Sequence, residues 1–222
     1  QARPSVFLLF AGQGSQHPGM SKSLFATQPS FRRHIEYCEA ALEPVLPRRL
    51  TDILYGPDSA ELLREPRFAQ PAIVALEYAL HELWRTWGVT PTVMLGHSLG
   101  EYAMAIAAGV LTPEDGLRLV AKRAELVQQR CPDGRMLAVR GALGAVREWI
   151  EEIGGTLNAA AVNAPDAVVV SGSVADIDRL AAALGKRGVR HQALETTRAF
   201  HNALLAPVVA AVILSKGVEK NA

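Results

Sequence analysis

Two short apolar runs, each ending at a glycine-rich turn, stand out in the first half of the chain. Residues 5–10 and 92–95 have the length and composition of buried strands. The sequence AGQG follows the first run, and GHSLG (96–100) follows the second. After GHSLG an alanine-rich stretch reaches about Gly109, and its spacing predicts a helix. The second run thus predicts a strand, a turn and a helix in immediate succession.

The other apolar residues of the first half recur at three- and four-residue intervals, which indicates amphipathic helices. Prolines interrupt this spacing between residues 44 and 68, so short helices and loops are predicted there. Capping residues mark where the longer helices begin. These predicted helices span 31–42, with Ser30 as the N-cap; about 71–87, with Pro71 in the first turn; and about 113–130, with Thr112 as the N-cap.

The pattern changes at the sequence CPDG (131–134), where we place a domain boundary. Residues 135–196 then alternate strand and helix patterns in the order β-α-β-β-α-β, with the turn Asn163–Asp166 between the two middle strands. This order is typical of the split βαβ motif of ferredoxin-like folds. We therefore predict one domain of residues 1–134 and 197–222 and a second, ferredoxin-like domain of residues 135–196.

Composition and charge exclude several functional classes. The 222 residues carry a net charge of +1 and are 49% hydrophobic and 20% charged, which predicts a globular protein and argues against a nucleic-acid partner. No run approaches 18 apolar residues, so no membrane span is predicted. Two cysteines, Cys38 and Cys131, favour reduced thiols and a cytoplasmic location. No spacing of ligands typical of a metal site is present.

Ser98 lies at the centre of GHSLG and is the strongest candidate for a catalytic residue. A strand, a glycine-flanked serine and a helix in this order form a nucleophile elbow, which projects the serine hydroxyl from the backbone. The helix N-terminus supplies N–H groups and positive potential for an oxyanion. The alternative is a glycine–serine turn that does no more than begin a helix.

A nucleophilic serine needs a base, and the histidines are the candidates. His34 and His81 belong to amphipathic helix patterns, and His191 belongs to a predicted strand, where packing or surface roles are more common. His97 is directed away from its neighbour by the tight turn. His201 comes from a distant segment, as the base of a Ser–His pair does, and is the best candidate from the residues alone.

Arg123 and Gln13 are candidates for binding. Arg123 falls on the apolar flank of the 113–130 helix, between Leu119 and Val127, where its guanidinium must extend to solvent or find an anionic partner. A structural ion pair explains this position equally well. Gln13 lies in a glycine-rich loop that lacks the GK[ST] of a phosphate-binding loop, and its carboxamide is able to donate to an oxyanion.

Together these motifs resemble the acyltransferase family that loads acyl carrier proteins, the malonyl-CoA:carrier-protein transacylases, and especially the acyltransferase domains of bacterial modular polyketide synthases. The resemblance extends over residues 5–212. It implies a large α/β-hydrolase-like subdomain with a parallel sheet and an inserted ferredoxin-like subdomain. The motifs that carry it are FAGQGSQ (10–16), QPAIVALEYAL (70–80), GHSLGEY (96–102), KRAELVQ (122–128), AVNAPDAVVVSG (161–172) and AFH (199–201).

The resemblance also implies a role for each candidate residue. Ser98 would carry the acyl group and His201 would be its base, while Gln13 and the Leu99 N–H would form the oxyanion hole. Arg123 would pair with the free carboxylate of a dicarboxylic acyl group. The remaining implied roles are selection of malonyl over methylmalonyl by Phe200 together with Leu99, and a place in or near the acyl pocket for His97 and Asn163.

The implied activity is transfer of a malonyl group from coenzyme A, through an acyl-serine, to the phosphopantetheine thiol of an acyl carrier protein, in polyketide or fatty acid synthesis. No cofactor would be bound, and neighbouring synthase domains such as a ketosynthase would be further partners. Asn202 departs from the serine that is usual in the family. Family members also continue well beyond the base, so we expect the C-terminal part of the large subdomain to be missing, and residues 213–222 match nothing in the family.

Two other functions fit parts of the sequence. A serine hydrolase, either a thioesterase or a patatin-like enzyme, also uses a GxSxG turn. A patatin-like enzyme pairs its serine with an aspartate, and neither Asp115 nor Asp133 is well placed for that role. An inactive, truncated interaction module is the second alternative, although the presence of Ser98, His201, Gln13 and Arg123 argues against it.

Overall fold

The computed structural model describes residues 5–209 and residue 211. The chain divides into two compact units, residues 1–125 and residues 126–222. The predicted return of residues 197–222 to the first domain stays a prediction. Within the described residues, no helix is both long enough and apolar enough to cross a membrane.

A two-stranded parallel sheet lies in the first unit. Strand β1 (Phe7–Phe10) pairs with strand β2 (Val93–Gly96), so both predicted strands are confirmed with slightly different ends. The side chains alternate between the two faces of this sheet. Phe10 is buried in the core, and Leu8 and Met94 pack against the same core. The opposite face carries apolar side chains that are exposed, namely Phe7, Leu9, Val93 and Leu95.

Helices make up most of the remainder of the first unit. The helices Pro29–Leu42, Gly100–Ala107 and Pro113–Arg130 lie close to their predicted limits, whereas the helix Lys22–Thr27 was not predicted. In the core, Pro29–Leu42 packs against Pro66–Thr86. The short helices Leu50–Tyr55 and Ser59–Leu62 fall within the proline-interrupted region, as predicted. The helices are α1 (Lys22–Thr27), α2 (Pro29–Leu42), α3 (Leu50–Tyr55), α4 (Ser59–Leu62), α5 (Pro66–Thr86), α6 (Gly100–Ala107) and α7 (Pro113–Arg130).

Two helix starts differ from the prediction. Gln28 is the N-cap of α2, and Ser30 lies inside the first turn because Pro29 already occupies the first helical position. Helix α5 begins at Pro66, so Pro71 lies inside it. Proline lacks an N–H, so Pro71 forgoes one hydrogen bond of the helix. The residues on both sides of Pro71 are buried, and their packing stabilises the helix despite the missing hydrogen bond.

The capping prediction for α7 is confirmed. The Thr112 hydroxyl accepts a hydrogen bond from the Asp115 N–H at 3.1 Å. The predicted apolar face is buried, with Leu117 and Val120 fully so. On the opposite side Lys122 is exposed and forms an ion pair with Glu125.

The second unit contains a four-stranded antiparallel sheet with the strand order β4-β5-β3-β6. The turn between β4 and β5 is shorter than predicted: Asn163 and Ala164 belong to β4, and Pro165 and Asp166 connect the strands. The core lies between the sheet and its two helices. The elements follow the predicted order: β3 (Gly134–Arg140), α8 (Leu143–Ile153), β4 (Asn158–Ala164), β5 (Ala167–Ser173), α9 (Val174–Lys186) and β6 (His191–Ala193).

Candidate active site

Ser98 occupies the turn between β2 and α6 with a left-handed backbone conformation, φ 53°. This region of φ is unfavourable for a residue with a Cβ, and such residues concentrate at functional sites. Hydrogen bonds fix the turn on both sides. The His97 N–H donates to the Phe10 carbonyl at 2.9 Å, and the Gly100 N–H donates to the His97 carbonyl at 3.0 Å. The predicted succession of strand, sharp turn and helix around Ser98 is therefore present in the first unit.

The glycines around Ser98 are required by close backbone packing. A Cβ on Gly96 would lie 2.6 Å from the Gly100 carbonyl carbon, and a Cβ on Gly100 would lie 2.6 Å from the Phe10 carbonyl carbon. A Cβ on Gly12 would lie 3.1 Å from the His97 carbonyl oxygen. The AGQG loop therefore rests directly against the serine turn, and side chains larger than hydrogen would separate the two.

Leu99 places its N–H at the start of α6. It is the N-cap residue of that helix and is 3% exposed. N–H groups at a helix start have no carbonyl one turn back to accept them, and they carry the positive end of the helix dipole. This arrangement suits the predicted role of the Leu99 N–H as an oxyanion donor.

A chain of hydrogen bonds joins Arg123 to Gln13 through Gln70. The Arg123 Nη1 donates to the Gln70 Oε1 at 2.6 Å. The Gln70 Nε2 donates to the Gln13 Oε1 at 3.1 Å. Gln70 lies in α5 and is only 1% exposed. Two residues predicted to bind substrate are thus connected within the first unit by a third residue that the sequence did not single out.

Arg123 also contacts an aromatic ring. Its guanidinium carbon lies 5.8 Å from the centroid of the Tyr102 ring, within the range of a cation–π interaction. The side chain is half-buried, in keeping with its predicted place on the flank of α7. Its planar, donor-only guanidinium suits bidentate binding of a carboxylate.

Glu77 lies under the AGQG loop. Its Oε1 accepts a hydrogen bond from the Ala11 N–H at 2.5 Å, and its Oε2 is buried without a hydrogen-bond partner. Burial raises the pKa of the Glu77 carboxyl to about 7, although the Ala11 N–H partly opposes this shift. The loop that carries Gln13 is therefore attached to a buried group that titrates near neutral pH.

His201 also has a left-handed backbone, φ 57°, and lies in the second unit. Its carbonyl accepts a hydrogen bond from the Asn158 Nδ2 at 3.0 Å. The next residue, Asn202, donates from Nδ2 to the carbonyls of Thr156 (2.8 Å) and Ser171 (3.1 Å). The Asn202 Oδ1 accepts from the Leu204 N–H at 3.0 Å. Side-chain amides therefore hold the backbone of His201 in its unfavourable conformation.

Arg198 attaches the segment before His201 to the end of α7. Its guanidinium donates to the carbonyls of Val127 and Gln128, at 3.4 and 3.1 Å, and to the Asp133 carboxylate at 2.5 Å. Cationic side chains at a helix C-terminus satisfy carbonyls that lack an intrahelical donor. The Arg198 side chain thus fixes where the AFH segment starts.

The remaining predicted residues lie in different surroundings. Phe200 is 8% exposed and packs in an apolar cluster with Leu126 and Val127. Asn163 lines a cleft of about 460 Å³ on the sheet of the second unit, together with Arg140, Arg190 and His191. His97 is exposed beside Gly12. Among residues 5–209, no group of His, Cys, Asp and Glu side chains is arranged to hold a metal ion.

Comparison with known proteins identifies the family. The sequence matches the acyl transferase domain family over residues 6–218. The chain belongs to this family. The match includes both candidate catalytic residues and every other candidate site residue.

Relatives of this acyltransferase domain are polyketide synthases and carrier-protein transacylases. The polyketide synthase GfsB of Streptomyces halstedii is 40% identical over 208 residues, which are 93% of this chain and 4% of that protein. The acyltransferase domain from the second module of the salinomycin polyketide synthase has a TM-score of 0.86 at 35% identity, covering 95% of this chain and 49% of that one. The malonyl CoA-acyl carrier protein transacylase of Clostridium perfringens has a TM-score of 0.85 at 29% identity, covering 96% and 68%.

Several polar residues that contact the candidate residues or their neighbours within each unit were not predicted from the sequence. Gln70 and Glu77 are seven residues apart in α5, two turns along the same side of the helix, with the buried apolar residues Ile73 and Val74 between them. Two polar residues on a buried face were a usable signal. Asn158 gave no signal, because it is one polar residue in an ordinary strand pattern, and Asn202 was noticed only as a departure from the family.

Proposed function

We propose that this acyltransferase domain transfers a malonyl group from coenzyme A, through an ester on Ser98, to the phosphopantetheine thiol of an acyl carrier protein. The observation that carries the proposal is the strained elbow at Ser98, with Gln13 and Arg123 joined through Gln70 in the same unit. At one end of this series of hydrogen bonds, Gln13 offers an oxyanion donor. At the other end, the guanidinium of Arg123 offers a binding group for a carboxylate. A malonyl thioester presents the two matching groups, a carbonyl oxygen and a free carboxylate.

In the first half-reaction, His201 accepts the proton of the Ser98 hydroxyl as its oxygen attacks the thioester carbonyl. The negative charge on the carbonyl oxygen is stabilised by the Gln13 Nε2–H and the Leu99 N–H. The carbon–sulfur bond then breaks, and the protonated His201 gives its proton to the departing thiolate. Coenzyme A leaves and malonyl-Ser98 remains.

In the second half-reaction, the phosphopantetheine thiol loses its proton to His201 and attacks the ester carbonyl. The same two N–H groups stabilise the oxyanion, and Ser98 regains its proton as the ester bond breaks. The reaction needs no bound cofactor or metal ion in this proposal. Coenzyme A is a leaving group, and phosphopantetheine belongs to the carrier protein.

The remaining assignments belong to the same proposal. Phe200 helps to exclude methylmalonyl together with Leu99, and His97 and Asn163 line or adjoin the acyl pocket. Burial of Phe200 in an apolar cluster would keep its position fixed. The partners are malonyl-CoA, an acyl carrier protein and neighbouring synthase domains such as a ketosynthase, in polyketide or fatty acid synthesis. The names of the relatives, polyketide synthases and a carrier-protein transacylase, support this setting.

The fold and location complete the proposal. We assign residues 1–134 and 197–222 to an α/β-hydrolase-like subdomain and residues 135–196 to a ferredoxin-like subdomain, which the antiparallel order β4-β5-β3-β6 supports. The cytoplasmic location predicted from the two cysteines is retained.

The substitution Arg123→Ala tests the substrate class. Malonyl-CoA should lose about 10²–10³-fold in kcat/KM for acylation, because the malonyl carboxylate loses its half-buried cationic partner. Acetyl-CoA has no carboxylate to lose, so its rate should be unchanged or higher. Stopped acylation reactions followed by intact mass give both rates, and a thermal melt checks folding. An equal loss for both acyl groups would make Arg123 a structural residue and contradict malonyl selection.

The same measurement separates the proposal from its rivals. A long-lived acyl-enzyme that transfers to a phosphopantetheine thiol is expected of the transferase. Steady release of free malonate without accumulation would indicate a serine hydrolase. Failure of the wild-type protein to gain any acyl mass would indicate an inactive module.

A further inference from the structure

We propose that Gln70 is a positioning residue that determines which end of the Gln13 carboxamide faces the acyl oxygen. The inference rests on the proposed function in one respect, the role of Gln13 as an oxyanion donor. A carboxamide has a donor end and an acceptor end of nearly the same shape. Only the NH₂ end stabilises an oxyanion, so an oxyanion site built on glutamine needs a device that selects this end.

Arg123 provides the fixed point for that selection. A guanidinium has only donors, so the atom of Gln70 that faces Arg123 at 2.6 Å must be the oxygen, Oε1. The other end of Gln70 is therefore the NH₂ group, and it faces Gln13. Since Nε2 of Gln70 donates at 3.1 Å, the atom of Gln13 that receives it must be the oxygen. The NH₂ group of Gln13 is then the end left to face the substrate.

Burial makes this selection strong. Gln70 is 1% exposed, so little water competes for either of its hydrogen bonds. If both carboxamides turned over, the NH₂ group of Gln70 would oppose the guanidinium of Arg123, donor against donor. The side chain is carried by a long helix whose neighbouring residues are buried, which limits its own freedom. One positive charge thus sets the orientation of two amides in series.

Two substitutions of similar size separate this role from simple packing. Gln70→Met fills the space but removes both hydrogen bonds, so Gln13 is no longer held in one orientation. Gln70→Glu keeps an acceptor for Arg123 as an ion pair, but its carboxylate cannot donate to Gln13. Gln13 should then turn its NH₂ group toward Glu and its oxygen toward the substrate, which repels the oxyanion.

The two variants should therefore rank in opposite orders for stability and for rate. Gln70→Glu, with its ion pair, should melt at or above Gln70→Met, and yet it should be the slower variant. We expect about a 10-fold loss of rate for Gln70→Met, as for one lost hydrogen bond, and about 100-fold for Gln70→Glu, as for an inactivated oxyanion donor. If Gln70 only supported packing, the less stable of the two variants would also be the slower one.

The rate to measure is labelling of Ser98 by an alkyl phosphonofluoridate. In this reaction the Ser98 oxygen forms a bond to phosphorus, the phosphorus–fluorine bond breaks, fluoride leaves, and His201 takes the serine proton. The phosphoryl oxygen uses the oxyanion donors, and the reagent has no carboxylate for Arg123. The labelling rate therefore reports the oxyanion donors, Gln13 among them, without any contribution from carboxylate binding by Arg123. Gln28→Glu, the same chemical change at the N-cap of α2, is the matched control and should keep the wild-type rate.

A double-mutant cycle decides whether Gln70 acts through Gln13. Gln13→Ala alone should slow labelling about 10²–10³-fold. In that background Gln70→Glu should cost less than about 3-fold, because the group it orients has been removed. Losses that multiply in the double variant would overturn the inference while leaving the proposed function intact. A wild-type protein that is neither labelled nor acylated would overturn both.

Discussion

Ser98 and His201 share a left-handed backbone, but the molecule stabilises it in two different ways. At Ser98 the surrounding backbone is packed so closely that Gly96 and Gly100 leave no room for a Cβ. At His201 the conformation is held by hydrogen bonds from the side chains of Asn158 and Asn202. The first device is steric, whereas the second consists of hydrogen bonds that join His201 and Asn202 to residues 43 and 46 positions away.

This difference predicts how well the turns at Ser98 and His201 tolerate substitution of the residues around them. A steric device fails as soon as one atom is added, because a protein interior cannot yield to an overlap with main chain. A device of hydrogen bonds fails by degrees, as each lost bond costs about 1 kcal/mol and a buried polar group left alone costs more. The serine turn should therefore tolerate almost no substitution of its glycines, and the histidine turn should tolerate several with graded losses.

Gly100→Ala should have the largest effect. Its Cβ would meet the main chain of Phe10 and Ala11, so we expect a loss of ~3 kcal/mol or more in the free energy of unfolding, together with loss of acylation. Urea unfolding and acyl-enzyme mass measure the two effects. Gly144→Ala is the matched control, since nothing lies within 4 Å of its added Cβ, and it should stabilise α8 by about 0.5–1 kcal/mol. Equal outcomes for the two variants would contradict the steric account.

Glu77 adds a titratable group next to the AGQG loop, which packs against the turn at Ser98. Its pKa is raised from an ordinary 4.5 to about 7, so between these values the folded state binds more protons than the unfolded state. The free energy of unfolding therefore falls as pH rises through this interval, by ~3 kcal/mol, and the contribution is constant above it. A glutamine in place of Glu77 would keep an acceptor for the Ala11 N–H but would not ionise.

Glu77→Gln should remove that part of the pH dependence. We expect the variant to be more stable than wild type at about pH 8 and to lose this advantage by about pH 4. Urea unfolding of both proteins across this range gives the difference directly. A difference between the two proteins that does not vary with pH would show that Glu77 does not titrate in the folded state as described.

Asn202→Ala tests the hydrogen-bonded region. It removes two donated bonds to backbone carbonyls and one accepted bond, so about 2 kcal/mol should be lost, with a slower acylation because the His201 backbone is no longer held. Asn202→Asp keeps the acceptor for the Leu204 N–H but loses both donors, and it should be at least as damaging. Unfolding and acylation assays report these effects, and an unchanged rate would show that His201 keeps its conformation without Asn202.

Glycine at either strained position should give the smallest effect. Ser98→Gly and His201→Gly remove the Cβ from a left-handed residue, so each should gain up to about 1 kcal/mol of stability while losing acylation. Gln70→Gly has no such strain to relieve and should lose stability. Urea unfolding measures the stability of each variant. A loss of stability in both Ser98→Gly and His201→Gly would mean that the backbone is not strained at these two positions.

The same comparison explains what could be predicted from sequence. The elbow at Ser98 was predictable because its strand, glycines and helix are consecutive, and the order of elements in the second unit followed from their hydrophobic patterns. The contacts of Asn158 with His201 and of Gln70 with Gln13 join residues 43 and 57 positions apart. Hydrophobic periodicity in a single sequence carries no information about side-chain contacts between residues so far apart. The predicted start of α5 near Pro71 is wrong, because Pro66 occupies the first turn and Pro71 lies inside the helix.

The most direct test of the account is to locate the acyl group. Wild-type protein and Ser98→Ala are mixed with malonyl-CoA, quenched in acid, digested, and sequenced by mass spectrometry. The account predicts one malonyl group per wild-type chain, on the peptide that contains GHSLGEY and at Ser98 within it, and none on Ser98→Ala. A malonyl group of normal stoichiometry on the variant, or on another residue of the wild-type chain, would contradict the central claim that Ser98 is the nucleophile.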